Sequence, residues 1–100
     1  MKSSSDHEIR YNKRMCYVYI LQSLKTSRYY IGSTLDIDKR LEKHNSGYVK
    51  STKNSVPWKL EMSQKYSSIT VAKQIKYRLK KLKRKDYIEK IIDDGYIKMR

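Results

Sequence analysis

One hundred residues are enough for one domain and too few for two. Lys and Arg number 24 against 10 Asp and Glu, a formal net charge of +14, so the expected partner is a polyanion, with nucleic acid first. The lone cysteine, Cys16, excludes an intrachain disulfide and a thiolate zinc cluster, and the longest apolar run, Cys16 to Leu21, is too short to span a bilayer.

Residues 1–14 are polar, charged and aperiodic, and they lack the apolar centre of a secretory signal. They read as a flexible basic arm ahead of a folded domain at 15–95, in a chain expected to be intracellular, cytoplasmic or associated with nucleoid or nucleus. Cys16-Tyr17-Val18-Tyr19-Ile20-Leu21 has no polar side and predicts a central strand buried on both faces. A polar turn, Gln22 to Ser27, leads to a second strand, Tyr29 to Gly32, and the short gap makes the pair an antiparallel hairpin. Gly32 is expected to end that strand, permitting a bend or a close approach of backbone. Thr34 or Asp36 can cap a helix carrying Ile37 and Leu41, closed at Asn45-Ser46-Gly47. After a polar loop, Tyr48 to Pro57, the alternation of Trp58, Leu60 and Met62 with Lys59, Glu61 and Ser63 predicts a third strand with one buried face. Ala72, Ile75, Leu79 and Leu82 mark an amphipathic helix, and Ile88, Ile91 and Ile92 a shorter one closed by Gly95. The order β-β-α-β-α-α predicts an α+β fold: a small three-stranded, mostly antiparallel sheet flanked by helices. With ten tyrosines and no phenylalanine, much of the core is expected to be phenolic.

Four residues stand out. Tyr19 and Tyr30 fall on paired strands, and Arg40 and His44 lie one turn apart on the first helix, hence on one face. Two phenols, a guanidinium and an imidazole are parts for phosphodiester chemistry: a base for water, a cation for phosphate oxygens, a donor to orient them. They are expected on one concave surface beside the sheet.

The order of these residues resembles the GIY-YIG nuclease superfamily. Tyr17-Val18-Tyr19 stands where the first motif lies, Tyr30-Ile31-Gly32 follows as the second, and Arg40-Leu41 with His44 comes next. Asn45-Ser46-Gly47, Ser51-Thr52-Lys53-Asn54 and Pro57-Trp58-Lys59-Leu60 look like the small single-domain branch related to the nuclease domain of the excision-repair protein UvrC. The resemblance implies an endonuclease cleaving phosphodiester bonds in DNA, in a DNA-repair setting. Tyr19 or Tyr30 would act through water as general base, Arg40 would hold the scissile phosphate, and His44 would hydrogen-bond the tyrosine or the phosphate. As motif tyrosines, Tyr19 and Tyr30 are expected to have hydroxyls open to solvent or a bound anion.

The resemblance also implies a Mg²⁺ or Mn²⁺ ion held by a glutamate four residues after an alanine on the long helix. Here Ala72 is followed at that spacing by Lys76. A hard divalent cation wants carboxylate oxygens, and an ammonium repels it. Glu61 is the nearest acid in sequence, but the strand alternation points it off the core face. The metal-ligand position is therefore empty of any ligand, and binding of the ion is doubtful. Two readings compete: an endonuclease impaired by Lys76, or a catalytically inactive nucleic-acid-binding module of the same fold. A basic scaffold for RNA is a third, which leaves the Tyr, Arg and His spacing unexplained. Lys53, Lys73, Lys76, Lys80, Lys83 and Arg84 are the expected contacts to nucleic acid, most simply DNA. So small a domain is expected to draw specificity from a protein partner, and no membrane association is expected.

Overall fold

The computed structural model describes residues 15–98; the arm expected at 1–14 lies outside them. Strand β1 (Cys16–Ser23) sits at the centre of a three-stranded antiparallel sheet, between β2 (Tyr29–Thr34) and β3 (Trp58–Tyr66). Helix α1 (Ile37–Asn45) follows β2, and α2 (Ile69–Leu82) and α3 (Lys85–Asp94) close the fold. The α+β class and the antiparallel sheet read from the sequence are therefore those of the structure.

β1 is buried on both faces, as its apolar run requires. Cys16, Val18 and Ile20 enter the cluster formed with Ile75 and Leu79 of α2 and Ile88 and Ile91 of α3. Tyr19 and Leu21 enter a second cluster with Trp58, backed by Ile37 and Leu41 of α1. The sheet thus separates two cores. The larger is aliphatic, not phenolic: Tyr19 is the only described tyrosine in the buried class, and Tyr48, Tyr77 and Tyr96 are exposed. A hydroxyl must keep a hydrogen bond when buried, so isoleucines fill the dry side at lower cost.

Gly32 does not end β2. The ladder continues through Ser33 against Val18 and Thr34 against Tyr17. Gly32 instead pairs with Tyr19, whose phenol ring lies directly over its Cα, in the space a Cβ would take. Asp36, not Thr34, caps α1, accepting from the Lys39 N–H at 3.1 Å. Thr34 braces that cap, its hydroxyl accepting from the Asp36 N–H at 3.2 Å.

β3 departs most from its sequence pattern. Ile20 pairs with Met62 and Leu21 with Leu60, so Glu61 is an extra residue in a β-bulge. The bulge turns the strand over. Trp58 and Leu60 pack on the Tyr19 face, and Met62 packs on the α2–α3 face, so the three do not share one buried side.

In α2, Ala72, Ile75 and Leu79 are buried, but Leu82 is 42% exposed because the helix ends there. Lys83 takes a left-handed conformation (φ 51°) that redirects the chain into α3. Gly95 closes α3 at φ 83°, as expected of a helix-terminal glycine. Past it, Ile97 is buried and docks on β3: its N–H donates to Gln64 Oε1 at 2.6 Å, and Gln64 Nε2 donates back to its carbonyl at 3.2 Å.

A tyrosine, histidine and arginine network as the candidate active site

Tyr19, Tyr30, Arg40 and His44 come together on the α1 side of the sheet. Tyr30 is set beside Tyr19 by the β1–β2 ladder, with ring centroids 6.3 Å apart. The His44 ring sits edge-on to both tyrosines, 5.9 Å from Tyr19 and 4.8 Å from Tyr30. His44 is wholly buried, and Arg40, one turn earlier, is half-buried.

The hydrogen bonds run in one direction. The Thr52 hydroxyl has one proton, which it donates to the Val49 carbonyl at 3.3 Å. Thr52 Oγ1 must then accept at 2.9 Å from His44 Nδ1–H. That assigns the tautomer, leaving Nε2 bare to accept the Tyr19 O–H at 2.9 Å. The Tyr19 oxygen in turn accepts from Arg40 Nε at 3.4 Å. The nearby Tyr30 hydroxyl acts on the Arg40 charge in the same sense as Tyr19, more weakly. Among the described residues, no buried side-chain nitrogen or oxygen lacks a partner.

Electrostatics keep this network neutral apart from Arg40. Burial lowers the His44 pKa from 6.5 to about 4, with the Arg40 charge acting in the same sense. Burial also raises the Tyr19 pKa above its usual value, opposed by the Arg40 hydrogen bond. The Tyr19 bond reciprocally raises the Arg40 pKa. The expectation of a solvent-open Tyr19 hydroxyl is corrected: Tyr19 is only 2% exposed, because its ring lies over Gly32 and its oxygen is held by His44 and Arg40. Tyr30 is half-buried.

Thr52 is the residue that sequence reasoning missed. It is fully buried, and it orients His44. Its backbone carbonyl also accepts from Trp58 Nε1 at 2.9 Å. Asn45, at the end of α1, grips the Trp58 backbone, accepting from its N–H at 2.6 Å and donating to its carbonyl at 3.0 Å. The Ser51-Thr52-Lys53-Asn54 pattern carries the family resemblance but assigns Thr52 no role. Only the close return of the loop to α1 reveals it.

The cations expected at the nucleic-acid surface divide by position. Lys80 reaches round the edge strand β2, its Nζ 5.2 Å from the Tyr30 ring centroid. Lys76 is half-buried, one turn earlier on the same side of α2. Lys73 and Lys83 are exposed on and just after α2, and Lys53 lies apart from them in a 3₁₀ turn at Lys53–Ser55. The Arg84 guanidinium is engaged by Asp86 at 2.7 Å.

The donor set does not fit a divalent cation. Two phenols, an imidazole committed on both nitrogens, and a guanidinium surround the site. Among the described residues, no group of three or more His, Cys, Asp or Glu could hold a metal ion. Glu61 supplies no carboxylate to this face. At the bulge its side chain is 17% exposed and 4.0 Å from Lys59. Its side chain is thus largely covered; burial raises the pKa of Tyr29, which packs on the α2–α3 core, and the charges of Glu89 and Glu61 add to that rise. Among the described residues, no helix is long and apolar enough to cross a membrane.

Comparison with known proteins agrees with this architecture. A UPF0213 protein of Bacillus licheniformis is 40% identical over 83 residues, covering 79% of this chain and 84% of its own. A UPF0213 protein of Halalkalibacterium halodurans is 37% identical over 70 residues (69% and 73%), and one of Halobacterium salinarum 32% over 71 (70% and 91%). The family model of the GIY-YIG catalytic domain matches residues 15–90. That span takes in the whole tyrosine, histidine and arginine network, α2 and the first part of α3, and the chain belongs to the GIY-YIG family, whose catalytic domain is of nuclease type.

Proposed function

We propose that the protein is a DNA endonuclease by architecture, with Tyr19 as the proton-accepting group and Arg40 as the phosphate ligand. The observation that carries this reading is the one-directional chain from Arg40 through Tyr19 and His44 to Thr52. Tyr19 is the better base of the two tyrosines because a bare imidazole nitrogen stands behind it. As its oxygen takes a proton from the attacking water, its own proton passes to His44 Nε2. The water oxygen bonds to phosphorus, and the bond from phosphorus to the leaving oxygen breaks; that oxygen keeps the electron pair and takes a proton from solvent. Arg40 has N–H groups beyond the Nε–H on Tyr19, and these suit two phosphate oxygens.

The resting network opposes this transfer, since His44 titrates at about 4. A bound phosphate changes that balance. Its negative charge offsets the Arg40 charge that helps depress His44, so imidazolium forms more readily with substrate present. The same anion compensates the developing charge pair in a largely buried site.

A second reading rests on a specific observation: Lys76 stands where the family's carboxylate is expected, and among the described residues no group of acids takes its place. In that reading the chain binds nucleic acid and does not cut it. A nicking assay on linear, branched and single-stranded DNA, with and without Mn²⁺, separates the two. Cleavage that disappears in Tyr19→Phe supports the endonuclease. Binding without cleavage on every substrate, with Tyr19→Phe binding equally well, supports the binding module.

A further inference from the structure

A second concavity adjoins the network on the far side of Tyr30. It is an open cleft of about 420 Å³ between the β1–β2 turn, the edge of β2 and the α2–α3 junction. Its floor is apolar and aromatic, formed by Tyr29, Leu79 and Ile88. Its rim is cationic, with Arg28 on one side and Lys80 and Lys83 on the other. Among the described residues no acid lines it. Arg28 is held in place by its Nη1, which donates to Ser55 Oγ at 3.2 Å. Tyr30 is a common wall, facing His44 at 4.8 Å and carrying Lys80 at 5.2 Å from its ring centroid.

We infer that this pocket receives one unstacked nucleotide of a single-stranded stretch of the substrate, next to the phosphate that Arg40 holds. The inference rests on the nucleic-acid reading above and narrows it to a substrate class. A duplex presents phosphates to a convex cationic surface and keeps its bases stacked. It has no use for a concave apolar floor. A splayed base has a π-face to lay on Tyr29 and the aliphatic floor, and its flanking phosphates meet Arg28, Lys80 and Lys83. The volume is in the range of small-ligand sites, roughly 300 to 1,000 Å³, a size that suits one base. Extruding a base from a paired duplex costs a few kcal/mol, so a strand already single is favoured.

The test is fluorescence anisotropy with a labelled oligothymidylate and with a duplex of equal length, at one salt concentration. Thr26→Trp fills the pocket from an exposed lining position outside the Tyr19 network. The wild type is expected to prefer the single strand. Thr26→Trp is expected to weaken single-strand binding about tenfold, the loss of one stacked base, and to leave duplex binding within twofold. An oligothymidylate with one abasic position is expected to lose affinity for wild type and little for Thr26→Trp. Circular dichroism and the unchanged duplex affinity report that the variant is folded. If Thr26→Trp binds the single strand as wild type does, or loses both substrates equally, the pocket assignment is wrong and the nucleic-acid reading survives. If wild type binds neither substrate, both fail. Displacement of the oligonucleotide by an equimolar deoxythymidine monophosphate would overturn the strand as the source of the nucleotide.

Discussion

Tyr19 Oη and His44 Nε2 lie 2.9 Å apart in the interior, and burial moves their two pKa values in opposite directions. The phenol is made a weaker acid and the imidazole a weaker base, so the shared proton rests on Tyr19. Any chemistry that needs it on His44 must first bring a negative charge to Arg40.

The low His44 pKa has a consequence for stability. In the unfolded chain His44 takes up a proton below 6.5, whereas in the folded protein it does so only below about 4. Between those values the unfolded state binds more protons, so stability falls as pH falls through the window and is fully restored above it. The contribution is on the order of 3 kcal/mol at its limit. Urea midpoints measured from pH 7 to 4 are expected to drop steeply for wild type and less steeply for His44→Gln. Parallel curves would show that His44 is not the buried neutral group described.

Thr52→Val removes the acceptor of the His44 Nδ1–H without changing shape. A buried donor left unpaired costs about 1–3 kcal/mol. Thr52→Ser keeps the oxygen and is expected to recover most of that loss. The imidazole ¹⁵N spectrum gives a readout that general destabilisation would not: Nδ1 is protonated in wild type and Thr52→Ser, and that preference is lost in Thr52→Val.

Gly32→Ala places a methyl where the Tyr19 phenol lies. The ring must move, and with it the bonds to His44 and Arg40. Overpacking of this kind costs about 1–3 kcal/mol. Thermal denaturation is expected at a midpoint lower by several degrees, at about 4–8 °C per kcal/mol for a domain of this size. An unchanged midpoint would mean that the contact between Tyr19 and Gly32 is slack.

Lys76→Glu exchanges a repelling ammonium for a carboxylate. Mn²⁺ titration followed by electron paramagnetic resonance is expected to show binding by the variant and not by wild type. Nicking is expected to rise with it, and to vanish again in Lys76→Glu combined with Arg40→Ala. Equal Mn²⁺ binding by wild type and by Lys76→Ala would place the ion elsewhere in the chain.

The salt dependence of DNA binding should be steep. Each phosphate contact to a single strand contributes about 0.7 to the slope of log affinity against log salt. Lys73→Gln is expected to reduce the slope by about that amount. A slope near zero in wild type would remove the electrostatic basis of the proposed interaction.

Much of this protein is determined by residue order alone. An unbroken apolar run such as Cys16 to Leu21 can only be a strand covered on both faces, so β1 was legible as the sheet centre. The glycines after α1 and α3 stop those helices by local backbone preference. Arg40 and His44 share a face because helical spacing requires it. Tertiary contact decided the rest. Alternation through Trp58, Leu60 and Met62 is the same for a regular strand and a bulged one, and the pairing with Ile20 and Leu21 puts the bulge at Glu61. A phenol can fill a core or face water, and the close pass over Gly32 commits Tyr19 to the interior. Hydrogen-bond direction is not written in a side chain that can both donate and accept. Only the folding of the loop back onto α1, where Thr52 has spent its proton on Val49, leaves His44 facing Tyr19 with a bare nitrogen.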